Sequence, residues 1–116
     1  MRSGPGVPAV ARQWRARATP AGADAYEEHF RSAVLPQLAG VEGWLGAQLL
    51  RHDDGDEVEL VALTYFESLD AIRRFAGPDL ERAVVAPEAR RVLTGFDERV
   101  RHYRVAVGPA VPSQPS

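Results

Sequence analysis

The chain of 116 residues contains no cysteine, which excludes disulfides, thiolate nucleophiles, iron-sulfur ligation and cysteine-based zinc sites. Lysine is missing too, because all 14 basic residues are arginine. Schiff-base chemistry, pyridoxal phosphate anchoring and a P-loop lysine are therefore impossible. No apolar run approaches the ~20 residues of a membrane span, and the opening MRSGPGVPAV lacks the apolar core of a secretory signal. The expectation is a cytoplasmic protein with no membrane partner. A basic excess is also lacking: the net charge is -2 and the arginines are scattered, which argues against nucleic acid.

What is present is organised around Asp54 to Gly77, DGDEVELVALTYFESLDAIRRFAG. From Val58 to Phe66 one face carries Val58, Leu60, Ala62, Thr64 and Phe66, and the other Glu59, Val61, Leu63 and Tyr65. Both faces are apolar after Glu59, the pattern of a strand covered on both sides. Ser68 stands where a helix N-cap is wanted, with Leu69, Ile72 and Phe75 following at helical spacing and Gly77-Pro78 as the stop.

The flanking elements follow from the same rules. Residues 9 to 18 predict a first strand with Val10, Arg12, Trp14 and Ala16 on one face. A helix is expected from about Asp24 to Leu38, with Tyr26, Phe30, Val34 and Leu38 as its apolar stripe and Pro36 distorting its last turns. Trp44 to Arg51 predicts a second strand, with Leu45, Ala47 and Leu49 opposite Trp44, Gly46 and Gln48. Asp54-Gly55 signals a hairpin. Residues 78 to 86 suit a further helical turn or two, Pro87 to Leu93 a short helix, and Phe96 to Val107 the last strand, where Val100, His102 and Arg104 alternate with Arg101 and Tyr103. Residues 1 to 8 suggest a flexible arm, 9 to 107 one domain and 108 to 116 a disordered tail.

This order predicts a ferredoxin-like βαββαβ α+β sandwich, with both helices on one face of a four-stranded antiparallel sheet. The other face presents on the order of 400 Å² with nothing in the chain to cover it. A second copy is the simplest cover, so a homodimer with sheets face to face is expected.

Four blocks, ARQWRARA, HDDGDEVELVALTYFESLDAIRRFAG, ERAVVAPEARRVLTGFDE and RVRHYRV, together resemble the antibiotic biosynthesis monooxygenase family of dimeric α+β barrels over residues 9 to 107. The resemblance implies the dimeric barrel and a pocket for an aromatic substrate. It includes cofactor-free monooxygenases of polycyclic phenols, haem-degrading enzymes and isomerases. Matched through the FES turn, the haem branch's tryptophan and histidine fall on Phe75 and Val85, and its first-strand asparagine on Trp14. Without the ligand, haem is not expected, and neither is any other cofactor.

The cofactor-free reading implied by the resemblance asks for an apolar pocket, a group that favours a substrate anion and shelter from water. Candidate catalytic residues are His102, Trp14 and Arg12, and candidate substrate contacts are His29, Tyr65, Trp44 and Phe75, with Phe66 and Tyr103 as further possibilities. Trp14 and Trp44 read first as core or interface packing. For Arg12 a neighbouring carboxylate partner is the commoner arrangement, and His102 also suits a hydrogen bond across the dimer. Ser32 and Ser68 lack a nucleophile elbow, and the three histidines lie too far apart to form a sequence-readable metal set. Monooxygenase or oxidase chemistry on an aromatic polyketide-like molecule with oxygen, cyclisation or isomerisation, and ligand binding without chemistry all remain open.

Overall fold

A computed structural model describes residues 9–108. The expected arm and all but the first residue of the tail lie outside the described residues. The first strand, β1 (Val10–Ala18), runs straight into a helix that begins at Pro20, earlier than the expected Asp24. Thr19 is the N-cap: its hydroxyl accepts the Gly22 N–H at 3.0 Å, and Pro20 takes the first helical position. Gly22 is required by packing, because a Cβ there would overlap the Val92 carbonyl oxygen.

The helix continues to residue 39 in three pieces: α1 (Pro20–His29), a π-helical stretch (Phe30–Val34) and α2 (Leu35–Ala39). Pro36 lacks an N–H and crowds the carbonyl four residues earlier, and the widened turn lies just before it, where the Leu35 N–H reaches back to Phe30. Residues four apart drift by about 40° per step on a regular α-helix. The wider turn offsets part of that drift, so Tyr26, Phe30, Val34 and Leu38 line one hollow.

Next come β2 (Trp44–Asp54) and β3 (Glu57–Phe66), joined at Gly55, whose φ of 66° suits the tight hairpin. A bulge between Trp44 and Gly46 resets the alternation of β2, so Trp44 and Ala47 both turn toward the helices and the expected opposition between them is lost. Ser68 caps α3 (Leu69–Ala76), accepting the Ala71 N–H at 3.2 Å. Residues 78 to 86 are not helical: Ala83 donates to the Glu98 carbonyl, and Val100 to that of Glu81. A short helix, α4 (Pro87–Val92), follows.

The last strand is split. β4 (Gly95–Phe96) and β5 (Arg101–Arg104) both pair antiparallel with β1, and between them the chain leaves β1 to join residues 81 to 83. The sheet therefore has five strands, not four, ordered β2-β3-β1 with β4 and β5 along the far edge of β1. The fold is otherwise the expected ferredoxin-like α+β sandwich. Two apolar clusters fill the helix side, one around Trp14, Tyr26, Phe30 and Leu60, the other around Leu38, Phe66 and Ile72. On the opposite face Val61, Leu63 and Tyr65 lie uncovered by any described residue, flanked by Leu50 at 45% exposure and Tyr103 at 44%.

Candidate active site

The seam between the two clusters leaves a hollow of about 50 Å³, lined by Trp14, Tyr26 and Phe30 from one side and Leu38 and Phe75 from the other. Arg12 and Thr64, cross-strand partners on β1 and β3, also line it. Tyr26, Val34, Phe75 and Val84 are shared with a second space of about 590 Å³, a groove between α1 and residues 82 to 90 that also holds His29, Arg82, Glu88 and Arg90. The groove lies in the size range of small-molecule sites, and the hollow extends it inward.

Arg12 is the unusual residue. Only 4% of it is exposed, and among the described residues no carboxylate lies within ion-pair distance. Its Nη1 donates to the Leu80 carbonyl at 2.6 Å and approaches His102 Nε2 at 3.0 Å, while Nη2 donates to the Arg82 carbonyl at 2.8 Å. The guanidinium also sits 5.6 Å from the centre of the Phe75 ring. Burial, helped by the charge of Arg82, lowers its pKa to about 10, and it remains a cation at neutral pH.

His102 faces that cation. An arginine can only donate, so Nε2 accepts and the imidazole is neutral with its proton on Nδ1. Burial and the Arg12 charge both lower its pKa, with Glu81 opposing them. His102 does not line the hollow and meets it only through Arg12. Trp14 gives its one N–H to the Asp97 carbonyl at 2.8 Å, so it offers a ligand a ring and no donor. Tyr26 stacks obliquely on Trp14 with centroids 5.7 Å apart, and burial raises its hydroxyl pKa, keeping it protonated.

The other candidates are dispersed. Phe75 lines both spaces and His29 the groove alone. Trp44 packs in the second cluster with its buried Nε1 unpartnered, and Phe66 is fully buried beside it. Tyr65 lies on the opposite face and donates to Gln48 Oε1 at 3.2 Å, and Tyr103 is exposed on that face beside it in the β1 pairing. Most side chains in the hollow, Tyr26, Phe30 and Thr64 among them, were not candidates from sequence. Tyr26 was hidden in a helical stripe that reads as ordinary core. Thr64 is the one hydroxyl on the buried face of β3, and that mismatch was its only signal.

The model of the antibiotic biosynthesis monooxygenase family matches residues 9–87. The chain belongs to this family. Solved structures agree on the fold. The haem-degrader MhuD of Mycobacterium tuberculosis, with two haems bound in its active site, is 27% identical with a TM-score of 0.54, covering 85% of this chain and 97% of that one. A monooxygenase from the ActVA-Orf6 gene of Streptomyces coelicolor, in complex with nanaomycin D, is 23% identical with a TM-score of 0.54 and coverage of 97% and 96%. A Nitrosomonas europaea protein of unknown function reaches a TM-score of 0.61 at 14% identity, with coverage of 95% and 97%. No curated protein matches the chain.

Haem does not fit this family member in the manner the resemblance implies. Val85, at the position of the histidine ligand, lines the groove with a side chain that has no donor atom. Trp14 and Phe75 likewise face the cavity without a free hydrogen-bonding group.

Proposed function

We propose that the protein is a cofactor-independent monooxygenase or oxidase of an aromatic, polyketide-like small molecule, phenolic or anthrone in type, acting as a homodimer with molecular oxygen as co-substrate. The observation that supports this best is the buried Arg12 cation, without a carboxylate partner among the described residues, beneath a hollow walled by rings.

An anthrone that loses a proton becomes an electron-rich anion, and a cation at the oxygen that carries the charge favours that state. The anion passes one electron to oxygen, and the two radicals combine to a hydroperoxide. Loss of water from the hydroperoxide leaves a new carbonyl. A CH₂ group thus becomes C=O, with one atom of oxygen in the product and the other leaving as water with the two hydrogens. Within this scheme Arg12 stabilises the anion, Tyr26 and Phe75 hold the ring in the groove away from bulk water, Trp14 and Phe30 wall the hollow behind it, and His29 and Glu88 are the proton acceptors of the groove. His102 fixes the guanidinium by accepting from it. The uncovered outer face of the sheet supports pairing with a second copy.

Oxygen uptake by metal-free protein with anthrones tests this reading. The expected result is one oxygen consumed per quinone formed, with at least about a tenfold loss in Arg12→Gln when its circular dichroism is unchanged. Product without oxygen uptake would turn the reading into cyclisation or isomerisation, and a folded protein that binds anthrones without converting them would make it a binding protein. A shifted Soret band on adding haemin at submicromolar concentration would contradict the cofactor-free chemistry.

A further inference from the structure

We propose that the inner hollow is an oxyanion subsite formed by Arg12 and Thr64, which admits one ionised oxygen group of the ligand, a phenolate or a carboxylate, and leaves the ring in the outer groove. This rests on the aromatic-ligand reading above and narrows its substrate class.

Size is the first argument. A benzene ring occupies an engineered cavity of about 150 Å³, while a cavity of about 10–15 Å³ already holds one water. A hollow of about 50 Å³ accepts a small polar head and no ring. The groove that shares Tyr26, Val34, Phe75 and Val84 with it has the room for the remainder of the ligand.

Charge is the second. A guanidinium has five N–H groups, and three of the donor directions of Arg12 are taken by Leu80, Arg82 and His102. All three partners are neutral, so the positive charge is buried with no full negative charge against it among the described residues, a costly arrangement that an anion would relieve.

The third is the orphaned hydroxyl. Thr64 is 8% exposed, and its Oγ1 is buried with no hydrogen-bond partner among the described residues. Thr64 lies in register with Arg12 on the neighbouring strand, and both side chains line the same hollow. Two residues lining one hollow are thus left short of acceptors, and one oxyanion would serve both once the Thr64 hydroxyl, buried in this structure, turns toward it. A neutral donor would satisfy neither, and a cation would be repelled.

Isothermal titration of the full chain with benzoate, 4-nitrophenolate and the neutral benzamide tests the subsite. Benzoate or 4-nitrophenolate should bind at least about tenfold more tightly than benzamide, and whichever of the two anions binds better identifies the carboxylate or the phenolate as the preferred head. Thr64→Val should weaken anion binding about tenfold and leave benzamide unaffected. Its melting temperature should equal or exceed that of the wild type, because the substitution removes an unsatisfied buried hydroxyl. Arg12→Gln, if folded, should abolish the preference for anions. Equal binding of benzoate, 4-nitrophenolate and benzamide would overturn the proposal, as would a Thr64→Val variant that melts lower and binds the anions like the wild type. Oxygen uptake with anthrones but no anion preference would remove the subsite and leave the oxidase reading. An anion preference without oxygen uptake would do the reverse.

Discussion

Arg12 shows how one side chain can hold a site in tension. Its hydrogen bonds reach the carbonyls of residues 80 and 82 and the ring of His102, so it ties the segment after α3 to the sheet while leaving charge toward the hollow. His102 contributes only as the neutral ring. In the unfolded chain it titrates near its ordinary 6.5, whereas in the fold burial and the Arg12 charge lower that value, with Glu81 opposing. Between those two values the unfolded state binds more protons. The contribution of His102 to stability is therefore complete above about pH 6.5 and is lost as the pH falls through the lowered value. Urea midpoints at pH 7 and pH 5 should fall less in His102→Gln than in the wild type, and an identical fall would show that His102 is not held by the arginine. None of this could be read from the chain alone, because residues 12 and 102 meet only through the register of β1 with β5. The sequence offered Arg12 an ordinary carboxylate partner, and the fold supplies a histidine and two carbonyls.

Among the elements, the close contact of α1 with α4 gives a prediction of unusual sign. Replacing glycine by alanine in a helix usually stabilises it. Gly22→Ala should instead lower stability by about 1–3 kcal/mol, because the new methyl would overlap the Val92 carbonyl. A raised thermal midpoint would mean that α4 does not pack there. The elements legible in sequence were those fixed by local chemistry: β3 by its apolar run, α3 by the Ser68 cap and Gly77, the hairpin by Gly55, and α4 by Pro87. The features that were not legible depend on distant partners. The bulge that turns Trp44 inward is set by pairing with β3. The break in the last strand exists because residues 97 to 100 are held by the Trp14 indole and by residues 81 to 83. Tyr26 belongs to a stripe whose pattern is the same for core and for cavity wall, and only the meeting of two incompletely joined clusters leaves space beside it.

At the level of the whole molecule, the helices close one side of the sheet and the other stays open. Its middle carries Val61, Leu63 and Tyr65, with Gln13, Gln48 and Arg101 interleaved and the Arg15–Glu59 ion pair at 2.9 Å toward one end. Such a mixed surface suits a self-complementary interface in which the apolar strip is buried and the polar groups set the register. Sedimentation at micromolar concentration should give twice the chain's 12.7 kDa, and Leu63→Glu should give the single-chain mass with the helix signal retained. A wild-type monomer would remove the pairing.

The pocket lies on the helix side, away from that strip, so the two can be tested separately. A crystal structure with a bound anthrone addresses the site itself. The ring should lie in the groove against Tyr26 and Phe75, with its oxygen about 3 Å from the Arg12 guanidinium. A ring resting on the open strand face, or one in the groove with its oxygen turned to solvent, would contradict the account.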